Sequence, residues 1–457
     1  MMRHKRQAAL RLLLVLTLLA GSASCLGGSS TSDRRVLTIL TPWTGGDEKD
    51  SFQAVIDAFE ADNHDITVHA SPTRALDQVL RAGVQKGEEP DLAVVANPGA
   101  LRSYAQQNAL VPLDGFQNKA LGDDLVAQLK SDYDPLWYRL GEAGTKHQYA
   151  VVVKASVKSL IWYNRELAIR PDSSWADVVA AGRSKAQQGR TPWCLAMADP
   201  PNSGWPGTDW IEDILLHQSG VGTYTDWVDG KLEWKSPEVI AAWQTWGQTV
   251  AAPDAIRGGP LTALLTSYGE GSYPFFTATP GCYLEHGALV TPDPETPTTL
   301  VSGKDYDFLA FPDSQSTSTY EVSGDLVAMF RDSPEAERFM AFLASRKAQQ
   351  IWPERQPEAA FSANRTVTKT LAQGATNLIA RRINQLLDSG ATPCFDASDT
   401  MPSAMSAAFN HAVLEYLNDP TRLDAILADL EKVRVDAYPQ PIQSSVCPPP
   451  SSGQEAK

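Results

Sequence analysis

The chain contains no HExxH, no GxSxG, no GxxxxGK[ST] and no CxxC, and no two of its seven histidines stand in an HxxxH arrangement. Those absences leave no sequence basis for a zinc hydrolase, a serine nucleophile elbow or a nucleotide-phosphate loop, so neither a metal site nor a cofactor is expected. Basic residues are in deficit, with 39 Lys and Arg against 54 Asp and Glu and a formal charge of −15. A surface this acidic disfavours nucleic acid and anionic membrane surfaces as partners. No apolar run reaches the roughly 20 residues that span a bilayer. Cysteine is scarce, with five in 457 residues.

What is present begins at the N-terminus. Arg3, Lys5, Arg6 and Arg11 precede an apolar run from Leu12 to Ala20, and small residues lead to Cys25. This reads as an export signal over residues 1–24 with a lipidatable Cys25, and simple signal cleavage is the alternative because Ser22 stands three residues before the cysteine. Loss of residues 1–24 removes four basic and no acidic residues, taking the formal charge from −15 to −19. The expected location is outside the cytoplasm, on the membrane through acyl chains. With Cys25 so used, Cys194, Cys282, Cys394 and Cys447 remain, an even number for an oxidising compartment. Three connectivities are possible. Cys394 with Cys447 is favoured because a bond there pins a loose Pro-rich tail near its neighbour in sequence, which leaves Cys194 with Cys282.

Length alone predicts two lobes. A polar tether over 25–35 precedes strand-like Val36–Leu40, and Phe52, Val55, Ile56 and Phe59 then share one helix face. Ile66–Ala70 and Asp91–Val95 are further strands, separated by a helix carrying Leu76, Val79, Leu80 and Val84. Strands separated by helices imply parallel pairing in an α/β lobe. Helical segments near 175–188, 208–219 and 237–252 suggest a second, helix-richer lobe. Tyr149–Val153 and Tyr306–Phe311 flank it and are expected to form a connecting ribbon. Gly324–Phe330 (strand) and Pro334–Ser345 (helix) return to the first lobe, and helices at Met405–Leu417 and Leu423–Val433 precede a flexible tail over 441–457. The expected division is 36–148 with 312–350 for the N-terminal lobe and 149–311 with 351–440 for the C-terminal lobe.

Aromatic residues stand beside short polar ones in several turns: Trp43 with Asp47 and Glu48, Trp205 and Trp210 around Thr208 and Asp209, and Tyr283 with Glu285. A sugar needs this mixture, since its C–H face packs on an aromatic ring while its hydroxyls pair with carboxylates and amides. Against this stands the ordinary role of a turn Trp as packing and of Asp209, Glu212 and Asp213 as the acidic first turn of a helix. Trp162, Trp227, Trp234, Trp243 and Trp246 are assigned to packing. A carboxylate pair for glycoside hydrolysis is the enzymatic alternative. A polyamine or a phosphate ester is a third ligand class, and the aromatic-plus-acid turns disfavour an anion.

WTGGDE at 43–48, AFEADN at 58–63, residues 83–114 with "PD" and "L-x-PLD", and QYAVVVKASVKSLIWYN at 148–164 resemble the extracellular solute-binding proteins of bacterial ABC sugar importers, of the maltose-binding type. PWC at 192–194, GWPGTDWIEDILL at 204–216, PGCYLEHGA at 280–288, SGDLVAMF at 323–330 and CFDASDTMPSAM at 394–405 are similar, in order, to the α-glucoside branch of that family. Tyr283 and Ser323 depart from its usual Trp and Gly. The resemblance implies a two-lobed, periplasmic-binding-protein-like α/β fold, with a ligand cleft between lobes and no catalysis. It places Trp43, Asp47 and Asn97 on the first-lobe rim, facing Trp205, Thr208, Asp209 and Tyr283. Gly324 and Asp325 match a first-lobe motif near the cleft, and Asp399 and Met401 a second-lobe turn. It also supports pairing Cys194 with Cys282, whose segments neighbour the cleft. The implied ligand is an α-glucoside or short α-linked oligosaccharide, delivered by a monomer to the transmembrane permease.

Overall fold

The computed structural model describes residues 35–118, 123–296, 298–312 and 318–448. The export signal and the lipidatable Cys25 lie outside the described residues. β1 (Arg35–Thr41), α1 (Gly46–Asp62), β2 (Ile66–Pro72), α2 (Leu76–Lys86), β3 (Leu92–Val95) and α3 (Pro98–Gln106) alternate as their apolar spacing requires. A short ribbon of β4 (Gln117–Asn118) and β5 (Asp123–Asp124) leads into α4 (Leu125–Asp132) and α5 (Pro135–Gly141). β6 (Ala150–Val157) and β7 (Leu160–Asn164) follow, then helices α6 (Trp175–Gln187), α7 (Trp205–Val228), α8 (Pro237–Thr249) and α9 (Gly259–Leu265). Next come β8 (Leu284–His286), β9 (Tyr306–Ala310) and β10 (Thr319–Met329), then α10 (Pro334–Ala344), α11 (Arg346–Arg355), α12 (Arg365–Gly374) and α13 (Leu378–Leu387). β11 (Thr392–Phe395), α14 (Ala397–Thr400), α15 (Ser403–Asn418) and α16 (Leu423–Ala437) complete the order.

Among the described residues the larger sheet has six strands, in the order β11-β10-β3-β1-β2 with β6 also on β10. β1 runs parallel to β2 and β3, as the alternation of strand and helix predicts. β10 is the strand that reverses direction, lying antiparallel to both β3 and β6 and parallel to β11. Its pairing with β6 shifts register between Asp325 and Leu326: Asp325 opposes Lys154 and Leu326 opposes Val152, so Val153 is the extra residue of a bulge.

The smaller sheet is β8-β7-β9, all antiparallel. The ribbon expected from Tyr149–Val153 and Tyr306–Phe311 does not exist: the first run is β6 in the large sheet, and the second is β9 on β7. Both are apolar runs buried on two faces, and such a run encodes that it is a strand without encoding its partner. Residues 149–157 therefore belong to the large sheet, and Trp352 of α11 packs on Trp43 and Phe52 beside that sheet's first helix.

Both disulfides form, Cys194 with Cys282 and Cys394 with Cys447. The second corrects the expected start of the loose tail at residue 441. Ile442 N–H donates to the Asp229 carbonyl, Ser444 N–H to the Asp229 carboxylate, and Phe395 N–H to the Val446 carbonyl, so the chain is docked through Cys447. Trp162, Trp227, Trp234, Trp243 and Trp246 are all at most 1% exposed, as packing residues must be. No helix among the described residues is long and apolar enough to cross a membrane.

Candidate functional site

Two adjoining clusters lie along β6 and the residue that follows it. The first is built on the β6–β10 bulge. Lys154 of β6 contacts Glu48 in the first turn of α1 and lies 3.8 Å from Asp325 of β10. Burial alone would lower the pKa of Lys154, but Glu48 and Asp325 outweigh it and hold the ammonium above its ordinary value. Asp325 is pushed up to about 6 by burial, against the pull of Lys154. Gly324 sits where a Cβ would lie 3.0 Å from the Lys154 carbonyl and 3.1 Å from Trp137, so the residue before Asp325 has to be small for the strands to approach here.

The second cluster surrounds Lys158, just beyond β6. Its ammonium pairs with Asp209 of α7, lies 3.5 Å from Asp396, and stands 4.5 Å from the centre of the Trp205 ring. Burial opposes this charge too, yet Asp209, Asp396 and Asp399 keep Lys158 well above its usual pKa. Burial pushes Asp209 up to about 7, with Asp396 adding to the rise and Lys158 resisting it.

Trp205 opens α7 because of a glycine. Gly204 has φ of +107°, and a Cβ there would fall 2.2 Å from the Asn410 carbonyl, so no side chain fits at this helix start. The Trp205 ring lies 4.3 Å from Tyr268, and its Nε1 donates to Asp199 Oδ2 at 2.9 Å. The other oxygen of Asp199 pairs with Arg74, which follows β2 in the large sheet. Trp205 at the start of α7 is thereby tied, through Asp199, to the segment that follows β2.

The expected site residues separate into groups. Trp205, Asp209, Thr208, Asp399 and Met401 are brought together with Asn97: Asn97 caps α3 by accepting from Ala100 N–H at 2.8 Å, and a Cβ on neighbouring Gly99 would strike the Met401 carbonyl at 1.9 Å. Thr208 is fully buried and bonded to the Trp205 carbonyl and to Ser398, and Met401 is fully buried, so both brace the turn from behind. Asp325 joins the Lys154 cluster, where Glu48 rather than the exposed Asp47 makes the contact.

Trp43 points inward, 4% exposed, against Phe52 and Trp352. Trp210 is core as well, 5.0 Å from Trp193. Tyr283 is 1% exposed with its ring under Lys185 of α6 rather than beside Trp205. Arg74, Lys154, Lys158, Asp199, Tyr268 and Asp396 join these clusters as candidate site residues that sequence reading missed. The lysines carried a signal: two cations four residues apart, one inside the largely apolar run 149–157 and one directly after it, are buried charges, and buried charges need partners.

Trp205 and Tyr268 thus form an aromatic pair edged by charged side chains from several segments of the chain. Residues 45–350 match the family described as bacterial extracellular solute-binding protein, and the chain belongs to that family. It is 30% identical over 405 residues to the osmoprotective compounds-binding protein GgtB of Synechocystis sp., covering 86% of this chain and 90% of that one. It is 27% identical over 407 residues to the alpha-glucosides-binding periplasmic protein AglE of Rhizobium meliloti, covering 87% and 86%. A solved chitin oligosaccharide binding protein superposes with a TM-score of 0.72 at 15% identity, over 89% of this chain and all of that chain, which shows the shared two-lobed fold. The protein is thus an extracytoplasmic solute-binding protein of the type that serves ABC sugar transporters.

Proposed function

We propose that this protein captures an α-glucoside or short α-linked oligosaccharide between its lobes and hands it, chemically unchanged, to the transmembrane subunits of an ABC permease. It would do so as a monomer held at the membrane by lipid on Cys25. The observation that carries the reading is the Trp205–Tyr268 wall, which offers an apolar platform, beside Asp199, Arg74, Glu48 and Lys154, which offer hydrogen bonds to hydroxyls from both lobes. The relative named for alpha-glucosides supports the ligand class. Binding favours the closed form because only that form touches the ligand from both sides. The lobe division is proposed to follow the sheets, with the chain leaving the first lobe beyond Val157.

Calorimetric titration with maltose, trehalose, sucrose and longer α-glucans tests the reading, and heat of binding with at least one of them is expected. Because the 30%-identical relative is named for osmoprotective compounds, glycine betaine belongs in the same panel. Binding of glycine betaine alone, or silence across all glucosides, would remove the sugar assignment. The hydrolase alternative is checked with nitrophenyl glucosides, which a carrier leaves intact.

A further inference from the structure

The charge balance beneath Trp205 is incomplete. Asp209 of α7, Glu321 of β10 and Asp396 ahead of α14 each place a carboxylate oxygen within 4.8 Å of the others, and all three residues are at most 3% exposed. Lys158 supplies one positive charge to this group through Asp209 and Asp396. Three carboxyl groups against one ammonium leave two of them without a cationic partner. Glu321 is the clearest sign: it is fully buried and neither of its oxygens has a hydrogen-bond partner, and Asp209 Oδ1 is likewise unpartnered. The neighbouring acids do not share this condition. Glu212 accepts from Ala397 N–H and Ser398 N–H, and Asp213 accepts from Ser159 and faces His286 at 2.8 Å.

We propose that Asp209, Glu321 and Asp396 form a buried divalent-cation site of the calcium type beside Lys158, on which the Trp205 ring rests. Its donors are oxygens only, which suits a hard cation and disfavours zinc or copper. Oxygens within 4.8 Å of one another can share a Ca²⁺ at 2.3–2.6 Å, and its flexible coordination accepts carboxylates fixed on three separate segments more readily than the near-ideal octahedron that Mg²⁺ demands. A double positive charge would balance the two carboxyl groups that Lys158 leaves over, once they ionise on binding the ion. The three ligands come from segments remote in sequence, which is why a search for ligand spacing finds no metal site. The ion would tie α7, β10 and the 396–400 turn together and so brace the helix end that carries Trp205. The site is independent of which sugar is bound.

The experiment uses the full chain, stripped with a chelator and titrated calorimetrically with CaCl₂ and separately with MgCl₂, with Tb³⁺ luminescence as a second probe. One Ca²⁺ per chain, weaker Mg²⁺ binding and a higher melting midpoint in Ca²⁺ are expected. Glu321→Gln should weaken Ca²⁺ binding at least a hundredfold and, in chelator, melt no lower than wild type because it removes an orphaned charge. Asp209→Asn serves as the second variant if Glu321→Gln does not fold. Absence of binding at millimolar Ca²⁺, tighter Mg²⁺ than Ca²⁺, or Ca²⁺ affinity unchanged by the substitution overturns the proposal. Sugar titration in chelator and in Ca²⁺ is read separately, so a failed ion site and a failed sugar assignment are distinguishable.

Discussion

Replacing Arg74 by Ala tests whether the contact between lobes contributes to closure. The Arg74 side chain is 50% exposed and that of Asp199 20%, so the pair is only partly shielded from water. Exposed ion pairs contribute about 0.2–1 kcal/mol. The upper end applies here, because Trp205 Nε1 holds Asp199 in place and reduces the ordering cost of the pair. About 1 kcal/mol corresponds to roughly a fivefold shift in the ratio of closed to open protein. Arg74→Ala should therefore weaken sugar affinity by about fivefold, mostly through faster dissociation. Its unfolding free energy should stay within about 0.5 kcal/mol of wild type, as for an ordinary surface substitution. The comparison needs titrations at low and high salt, since at about 1 M ionic strength screening reaches down to 3 Å and removes most of the wild-type advantage. Small-angle scattering should show a larger open fraction in the unliganded variant. Affinity within 1.5-fold of wild type at low salt, or the same salt dependence in both proteins, would refute the reasoning.

Trp205→Ala should cost at least tenfold in sugar affinity, about 1.4 kcal/mol, with a modest change in melting temperature, whereas Trp43→Ala, buried against Phe52 and Trp352, should cost about 3–5 kcal/mol of stability. Equal stability losses in the two would place Trp205 in the core. Glu285 is pushed up to about 8 by burial, against its bond from Ser272. The folded chain therefore keeps a proton that the unfolded chain has lost between about pH 4.5 and 8, and stability falls across that window by up to roughly 4–5 kcal/mol from this group. Glu285→Gln should flatten the urea-midpoint profile between pH 5 and 8; an unchanged slope counts against the buried acid. Cys447→Ser opens a bond spanning 53 residues, for which chain entropy gives a loss of roughly 4 kcal/mol. Limited proteolysis should then cut near residues 441–448 first, and resistance there would show that the Asp229 contacts hold the segment unaided.

Much of the first lobe was legible because each segment declares its own period. Phe52, Val55, Ile56 and Phe59 make α1, and the strands between such helices are parallel as steric connection demands. The site was legible only where a local motif carries it, as with Gly204 and Trp205. Arg74 and Asp199 lie 125 residues apart, and nothing near either one in sequence announces the other. Trp43 and Tyr283 show the reverse difficulty: an aromatic beside acids in a turn has the composition of a sugar platform, but which way the ring turns depends on Trp352 and Lys185, contributed from elsewhere. Glu321 lies in an ordinary strand pattern, and its isolation is visible only once its surroundings are assembled.

Val153 is a supernumerary residue with no opposite number on β10. Excising it would close the two strands into a regular ladder in which Lys154 still opposes Asp325 on one face while Val152 stays with Leu326 on the other. What would be lost is the local bend and added twist of the bulged strand, which set the direction from which Lys154 meets Glu48 of α1. A deletion that leaves every charged residue in the chain would in this way re-aim one of them, so the length of this strand matters as well as the residues it carries.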